Sequence, residues 1–166
     1  FKFQTVSEPL QVALTHGYRL VDTASVTDNE KYIRQVIQTC GIPRRELFIQ
    51  TYIHRSDHGY LRCYRSVNKS LRLLQLEYLD LVLVQWPDCQ SGWPLKKGYT
   101  QPPDWTPSMR YDTWRALEDL VFEGKVRSIG VANFSERHLI DLCSHPTIRI
   151  LPHILQIELH PLLNQF

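Results

Sequence analysis

The chain has 166 residues, of which 43% are hydrophobic and 22% charged, and its 19 Lys and Arg oppose 17 Asp and Glu to give a formal net charge of +2. This balance is typical of a folded soluble domain and excludes an intrinsically disordered chain. The sequence contains no run of about 18 apolar residues, which excludes a membrane-spanning helix, and its scattered basic residues give no indication of nucleic-acid binding.

The predicted elements alternate between helices and strands along the chain. Apolar residues at spacings of three and four predict helices over 8–16, 30–40, 60–76 and 111–124, with a short helix after Ser135. Apolar runs predict strands over 18–22, 46–51, 79–85, 126–131 and 154–159, and 1–4 is a candidate sixth strand. The prolines between 88 and 109 predict an irregular loop.

The spacing of the predicted strands indicates the fold class. Successive strands begin 28, 33, 47 and 28 residues apart, and about 30 residues make one strand–helix crossover unit. Regular alternation favours an α/β fold with a parallel sheet, and the absence of a Gly-x-Gly-x-x-Gly motif after any strand argues against a doubly wound dinucleotide-binding sheet. We predict a (β/α)8 TIM-barrel type fold that is incomplete, since a full barrel takes about 250 residues and this chain provides only five to six strand–helix units.

The cysteines indicate neither a disulfide framework nor a metal site. Cys40, Cys63, Cys89 and Cys143 are widely separated and form no Cys-x-x-Cys pair, whereas disulfide scaffolds are small and dense in cysteine. We interpret the four as structural or incidental and predict no metal site. The chain begins at Phe1, so no targeting segment is assigned, and a soluble, cytoplasmic protein is the default expectation.

Four segments of the sequence resemble those of one enzyme family. They are 17–24 with Asn29-Glu30, the tetrapeptide 56–59, Leu79-Asp80-Leu81 with Trp86-Pro87, and 124–135 with 156–161. On these motifs the chain resembles the aldo-keto reductase family, whose members are NADPH-dependent oxidoreductases with a (β/α)8 barrel. The resemblance runs along nearly the whole chain and implies a single domain over 1–166, without counterparts of the family's opening hairpin and last two barrel strands.

The resemblance also implies a set of catalytic positions. Family members protonate the carbonyl oxygen with a tyrosine, ease its ionisation with a lysine paired to an aspartate, and orient the carbonyl with a histidine. Only the aspartate is retained, as Asp22, because Thr27, Tyr52 and Gln85 stand where the family has the tyrosine, lysine and histidine. An alkyl hydroxyl is too weak an acid to replace a phenol, while the Gln85 amide is still a hydrogen-bond donor. Tyr52 is either a relocated acid or an aromatic side chain that fills the vacant pocket.

Cofactor binding is implied at three residues. The resemblance assigns the nicotinamide carboxamide to Asn133 and Gln156 and leaves Asp22 as a contact to the ribose. The alternative is that Asn133 and Gln156 satisfy backbone groups at the barrel mouth. Asp22 is then a strand-end carboxylate, and if it is buried, His54 or Arg55 is the expected partner. We expect no bound cofactor, with NADPH as the alternative that the resemblance allows.

Three hypotheses for the function follow. Loss of three catalytic groups favours a non-catalytic structural or assembly component of a larger complex. Its protein partners would dock on the partial barrel and on the aromatic loop from Trp93 to Trp105. The alternative is an NADPH-dependent carbonyl oxidoreductase with an altered active site that uses Tyr52 or Gln85. A cofactor sensor without turnover ranks third, because it needs residues outside this chain.

Overall fold

The computed structural model describes residues 6–88 and 106–165, which form one parallel sheet flanked by helices. Within these residues the strands are β1 (Leu20–Asp22), β2 (Phe48–Ile53), β3 (Leu79–Val84), β4 (Val126–Ala132) and β5 (Leu155–Gln156). The α-helices are α1 (Ser7–Thr15), α2 (Glu30–Thr39), α3 (Tyr60–Leu74), α4 (Met109–Phe122) and α5 (Glu136–Ser144). The candidate strand over 1–4, Cys89 and the aromatic loop from Trp93 to Trp105 lie outside the described residues.

The strands form a strongly curled, all-parallel sheet in the sequential order β1-β2-β3-β4-β5. The curl is large enough for the side chain of Tyr52 on β2 to meet that of Gln156 on β5, although β3 and β4 lie between these two strands. The strands β1 to β4 are each followed by a helix that packs on the convex side before the next strand begins, as parallel pairing requires. The predicted partial (β/α) barrel is therefore confirmed.

The largest errors in the predicted strand boundaries concern β1, β2 and β5. β1 begins at Leu20 instead of 18, and β5 covers Leu155–Gln156 instead of 154–159, because only two residues of this last segment pair with β4. The start of β2 moves from 46 to Phe48, because Arg44–Glu46 form a 3-10 turn that precedes the strand. Local turns of this kind compete with the ladder at strand ends, where sequence periodicity carries little information.

The hydrophobic core lies between the convex face of the sheet and the helices. Strand side chains in this core include Ile49, Ile53, Val82, Val84, Ile129 and Val131, and helix side chains include Val67, Leu71, Leu74, Trp114, Leu117 and Leu120. Side chains of a strand alternate between its two faces. Phe48, Gln50 and Tyr52 therefore lie on the opposite, concave face of β2, which is the face that carries polar groups near the strand end.

Helix α3 confirms the amphipathic helix predicted over 60–76. Val67, Leu71 and Leu74 recur at spacings of four and three and are buried against the core, as a helix packed on one side requires. The helix ends at Gln75, whose left-handed backbone (φ 53°) stops the helical hydrogen-bond ladder. The outward face is polar and remains exposed.

A buried carboxylate joins β2 and β3 near their amino-terminal ends. The Asp80 side chain accepts hydrogen bonds from the Arg44 guanidinium at 2.6 Å, the backbone N–H of Ile49 at 2.9 Å and the Arg127 guanidinium at 3.3 Å. Both guanidinium groups also lie over the ring of Tyr78. A carboxylate removed from water needs such partners to stay charged, so the network favours this strand register.

Replacing Gly130 with Ala is expected to lower the free energy of unfolding by about 1–3 kcal/mol. An added Cβ would lie 2.6 Å from the carbonyl oxygen of Ile154 and 2.7 Å from a Leu83 methyl group, so backbone would have to shift. Urea unfolding of the full natural chain measures the effect. Ser128→Ala, two residues earlier on the same strand, is the control with no added atoms, and equal stability of both variants would contradict the prediction.

Candidate active site

The candidate active site lies where the carboxyl ends of β1, β2 and β5 meet on the concave face of the sheet. Asp22 is the last residue of β1, Tyr52 is the penultimate residue of β2, and Gln156 ends β5. In (β/α) barrels the loops that follow the strands at this end build the active sites. The structure therefore brings together three of the predicted site residues, which come from widely separated parts of the chain.

The phenol of Tyr52 is the centre of this polar cluster. Its oxygen lies 2.6 Å from Oε1 of Gln156 and 3.1 Å from Oδ2 of Asp22, and it accepts a hydrogen bond from Nε2 of Gln50 at 3.2 Å. A phenol carries one proton, so it donates to one of the two oxygens at a time. The hydroxyl group thus links β1, β2 and β5 through side chains alone.

The same environment keeps the phenol protonated. Burial, followed by the negative charge of Asp22 and its hydrogen bond, raises the pKa of Tyr52 from 10 to about 12. Each of these effects disfavours a phenolate, because the ionised oxygen would lose water and face a carboxylate. At neutral pH Tyr52 is therefore a hydrogen-bond donor, and it becomes an acid only toward a strong base.

Asp22 has a different partner from the one expected. The prediction of His54 or Arg55 assumed a buried carboxylate, whereas Asp22 is exposed and contacts the Tyr52 phenol. His54 is itself buried, and its Nδ1 lies 2.8 Å from the hydroxyl oxygen of Ser56. An exposed carboxylate is hydrated and needs no cation beside it, which removes the physical reason for the expected pair.

Thr27 serves the turn that follows β1. Its hydroxyl lies 2.6 Å from the carbonyl oxygen of Ala24 and 2.6 Å from Oδ1 of Asn29, both acceptors within the same short segment. Ser and Thr hydroxyls commonly stabilise turns in this way. Thr27 therefore has a structural part in the turn, consistent with its poor acidity.

Gln85 and Asn133 connect β3 to the segment that follows β4. The side-chain amide of Asn133 donates to the carbonyl oxygen of Gln85 at 2.8 Å, and the backbone N–H of Asn133 donates to the carbonyl oxygen of Gln156 at 2.9 Å. Asn133 has a left-handed backbone (φ 61°), which Asn tolerates better than most residues. These bonds agree with the interpretation that Asn133 satisfies backbone groups at the barrel mouth.

One acceptor and one donor at this mouth, Oδ1 of Asn133 and Nε2 of Gln156, carry no hydrogen bond to other described residues. The second polar atom of each amide, Nδ2 of Asn133 and Oε1 of Gln156, already takes part in a hydrogen bond. A nicotinamide carboxamide presents one N–H donor group and one carbonyl acceptor, so it complements this pair chemically. By donor and acceptor type, the pair is therefore compatible with the carboxamide of a nicotinamide cofactor.

One residue of the cluster was not predicted as a site residue. Gln50 is buried on the concave face of β2 and donates to the Tyr52 hydroxyl. The sequence could have indicated Gln50, because the side-chain period of two along a strand places residues 50 and 52 on the same face. A buried polar side chain beside a tyrosine at a strand end is a reason to search for a shared hydrogen bond.

A fully buried histidine supports the chain next to Gln85. Nε2 of His58 lies 3.0 Å from the carbonyl oxygen of Trp86, and Nδ1 lies 3.0 Å from the hydroxyl of Thr113. Burial lowers the pKa of His58 to about 4, so the ring is neutral at pH 7. Because a carbonyl oxygen only accepts, Nε2 carries the ring proton and donates to Trp86.

Among residues 6–88 and 106–165, no three or more His, Cys, Asp or Glu side chains are grouped so that they could hold a metal ion. Within the same ranges, no helix combines the length and apolar character needed to cross a membrane.

The sequence matches known reductases along nearly its whole length. The model of the aldo/keto reductase family matches residues 1–166. A glyoxal reductase of Bacillus subtilis is 39% identical over 159 residues, which are 96% of this chain and 50% of that protein. A 9,11-endoperoxide prostaglandin H2 reductase of Trypanosoma cruzi is 40% identical over 153 residues, covering 92% of this chain and 47% of that protein.

Solved structures give the same result. An aldo/keto reductase of Brucella melitensis superimposes with a TM-score of 0.81 at 33% identity, over 96% of this chain and 55% of that chain. An aldo-keto reductase of Bombyx mori in complex with NADP superimposes with a TM-score of 0.77 at 30% identity, over 93% and 48%. The chain therefore spans about half the length of the relatives that it matches.

Proposed function

The chain belongs to the aldo/keto reductase family, and from this premise we propose that it forms part of an NADP(H)-dependent carbonyl oxidoreductase with an altered active site. One observation carries the proposal: the Tyr52 phenol lies among Asp22, Gln50 and Gln156 at the carboxyl end of the sheet. The relatives named above are reductases of glyoxal and of a prostaglandin endoperoxide. Their names support a carbonyl or related small molecule as the substrate class.

The residues that would hold the cofactor are Asn133 and Gln156, through the unengaged halves of their amides. The cofactor held there would supply the hydride for reduction of the carbonyl carbon. The chain's own contribution is to orient the carboxamide and to keep the carbonyl oxygen next to a hydrogen-bond donor. Gln156 also accepts from Tyr52, so the same side chain is shared between the expected cofactor contact and the donor.

Tyr52 is the proposed proton donor to the carbonyl oxygen. A phenol with a pKa of about 12 keeps its proton at neutral pH and donates a hydrogen bond to a ground-state carbonyl. As the carbonyl is reduced, its oxygen approaches an alkoxide, which is a much stronger base than a phenolate because an alcohol has a pKa well above that of a phenol. Proton transfer from Tyr52 is then favourable despite its raised pKa, but the phenolate left beside Asp22 is disfavoured. We therefore expect slow turnover.

Replacing Tyr52 with Phe is expected to lower kcat by about 100-fold or more, because it removes the proposed acid and leaves the ring in place. The assay follows NADPH oxidation by the full natural protein with glyoxal and a panel of simple aldehydes. Tyr60→Phe is the matched control, since the Tyr60 hydroxyl donates to Asp119 between α3 and α4, away from the site. Equal kcat values for the Tyr52→Phe variant and the unmodified protein would contradict this assignment.

A second candidate function is a non-catalytic component of a larger assembly, as the loss of the family's tyrosine, lysine and histidine suggested. The specific observation in its favour is that Thr27 is engaged in its own turn, so nothing at that position can protonate a substrate. The absence of both NADPH binding and turnover on the carbonyl panel would favour this candidate, whereas binding without turnover would favour a cofactor sensor. Docking through Trp93 to Trp105 and a cytoplasmic location remain parts of this proposal.

A further inference from the structure

Helix α3 carries a row of exposed positive charges on its outward face. Arg65, Lys69 and Arg72 follow one another at spacings of four and three, which places them on one side of the helix. All three are exposed, and the helix from Tyr60 to Leu74 contains no Asp or Glu. At 1.5 Å per residue the row extends for about 10 Å along the helix axis. We call these three residues the α3 basic row.

The basic row carries no ion pair within the described chain. Other Lys and Arg side chains do pair with Asp or Glu, among them Arg44, Arg45, Arg110, Arg115, Lys125, Arg127 and Arg149. Among residues 6–88 and 106–165, no carboxylate lies within ion-pair distance of a basic-row side chain. Lys69 acts only at longer range, where its charge partly offsets the burial that raises the pKa of Glu30.

The row borders a surface groove of about 450 Å³, lined by Tyr64, Arg65, Asn68, Lys69 and Arg72. No described carboxylate lines it. The carboxylate of Glu123 lies beside the Tyr64 hydroxyl, from which it accepts a hydrogen bond at 2.8 Å. It also pairs with Lys125 at 2.8 Å. The groove therefore has a positive potential that is not neutralised from within the described chain.

We propose that the α3 basic row binds an acidic segment of a partner protein. Carboxylates at spacings of three and four along a partner's helix match the spacing of the row, and the planar guanidinium groups of Arg65 and Arg72 suit paired contacts to carboxylates. A single small anion does not span about 10 Å. Three charges on a chain whose net charge is only +2 are few for a nucleic-acid site, which usually neutralises about 6–10 phosphates.

Fluorescence anisotropy of a labelled 15-residue helical peptide, with Glu at spacings of three and four, tests the proposal on the full natural chain. Neutralising the row in the triple variant R65Q/K69Q/R72Q is expected to weaken binding by about tenfold or more. The matched control K31Q/R45Q/R137Q removes the same charge from exposed positions elsewhere and is expected to retain the affinity. Added salt is expected to weaken binding to the unmodified protein but to have little effect on the triple variant.

Three results would overturn the proposal. The first is no binding of the peptide by the unmodified protein, and the second is equal weakening in the triple variant and its control, which would mean that net charge alone decides. The third is tighter binding of a 15-nucleotide single-stranded RNA through the same three residues, which would make the partner a nucleic acid. If circular dichroism shows that the triple variant does not fold, the single variant Lys69→Gln takes its place, because it changes only one exposed side chain. This variant is expected to weaken peptide binding partially.

Discussion

The free energy of unfolding is expected to fall by about 3 kcal/mol between pH 7 and pH 4 through the titration of His58 alone. The ring is fully buried between Trp86 and Thr113, and its pKa in the folded chain is about 4. Well above pH 6.5 the ring is neutral in both states and contributes nothing to the pH dependence. Between pH 6.5 and pH 4 the unfolded chain binds a proton that the folded chain does not accept, so the unfolded state is favoured.

Urea unfolding of the full natural protein and of His58→Gln at several pH values isolates this contribution. Carboxylates cause an acid destabilisation that both proteins share, so only the difference between their two curves reports on His58. The variant is expected to be less stable at pH 7.5, where it lacks the ring's hydrogen bonds, and to lose this disadvantage progressively toward pH 4. Parallel curves over the whole range would show that His58 does not titrate as described.

Replacing Glu118 with Ala is expected to lower the free energy of unfolding by about 3–5 kcal/mol, the loss of two buried hydrogen bonds to a charged group. The Glu118 side chain on α4 is fully buried. Its Oε1 accepts from the backbone N–H groups of Arg149 at 2.6 Å and Ile150 at 2.8 Å, and its Oε2 accepts from the Arg149 guanidinium at 3.0 Å. Since residues 149 and 150 lead into β5, the substitution is also expected to displace Gln156 from the candidate site.

Arg149→Ala is the informative comparison. The Arg149 side chain is 47% exposed, so its removal costs an ion pair that is partly screened by water, about 1 kcal/mol. The backbone hydrogen bonds to Glu118 survive in that variant. Urea denaturation of both variants is therefore expected to show a much larger loss for Glu118→Ala, and the reverse order would mean that the side-chain ion pair, and not the two backbone contacts, holds this segment.

The succession of helices and strands could be predicted from the sequence because it depends on local periodicity. The continuous apolar run at Leu79–Val84 becomes a strand with all six residues buried, and the spacing in α3 becomes a buried helix face. Strand ends were less predictable. Arg44–Glu46 turn before β2 begins, and only Leu155–Gln156 of the last predicted strand pair with β4, since pairing depends on the neighbouring strand as much as on the segment itself.

The candidate site was predictable in membership but not in its contacts. Asp22, Tyr52, Asn133 and Gln156 were located by resemblance to a family. The sequence could not show that Tyr52 contacts both Asp22 and Gln156, because those distances depend on how strongly the sheet curls. The sequence around a histidine in a loop also does not show whether its side chain is buried. The low pKa of His58 could therefore not be predicted from the neighbouring residues.

The hydrogen bond between Tyr52 and Gln156 gives the curvature of the sheet a direct link to ligand occupancy. The two residues are 104 positions apart, on strands separated by β3 and β4, and they meet at 2.6 Å. A carbonyl that accepted the phenolic proton, as proposed, would take it from this bond, whereas a carboxamide held by the free Nε2 of Gln156 would leave the bond in place. A ligand of the first kind is therefore expected to loosen the contact between β2 and β5, and a distance probe on those two strands would report its binding without chemical turnover.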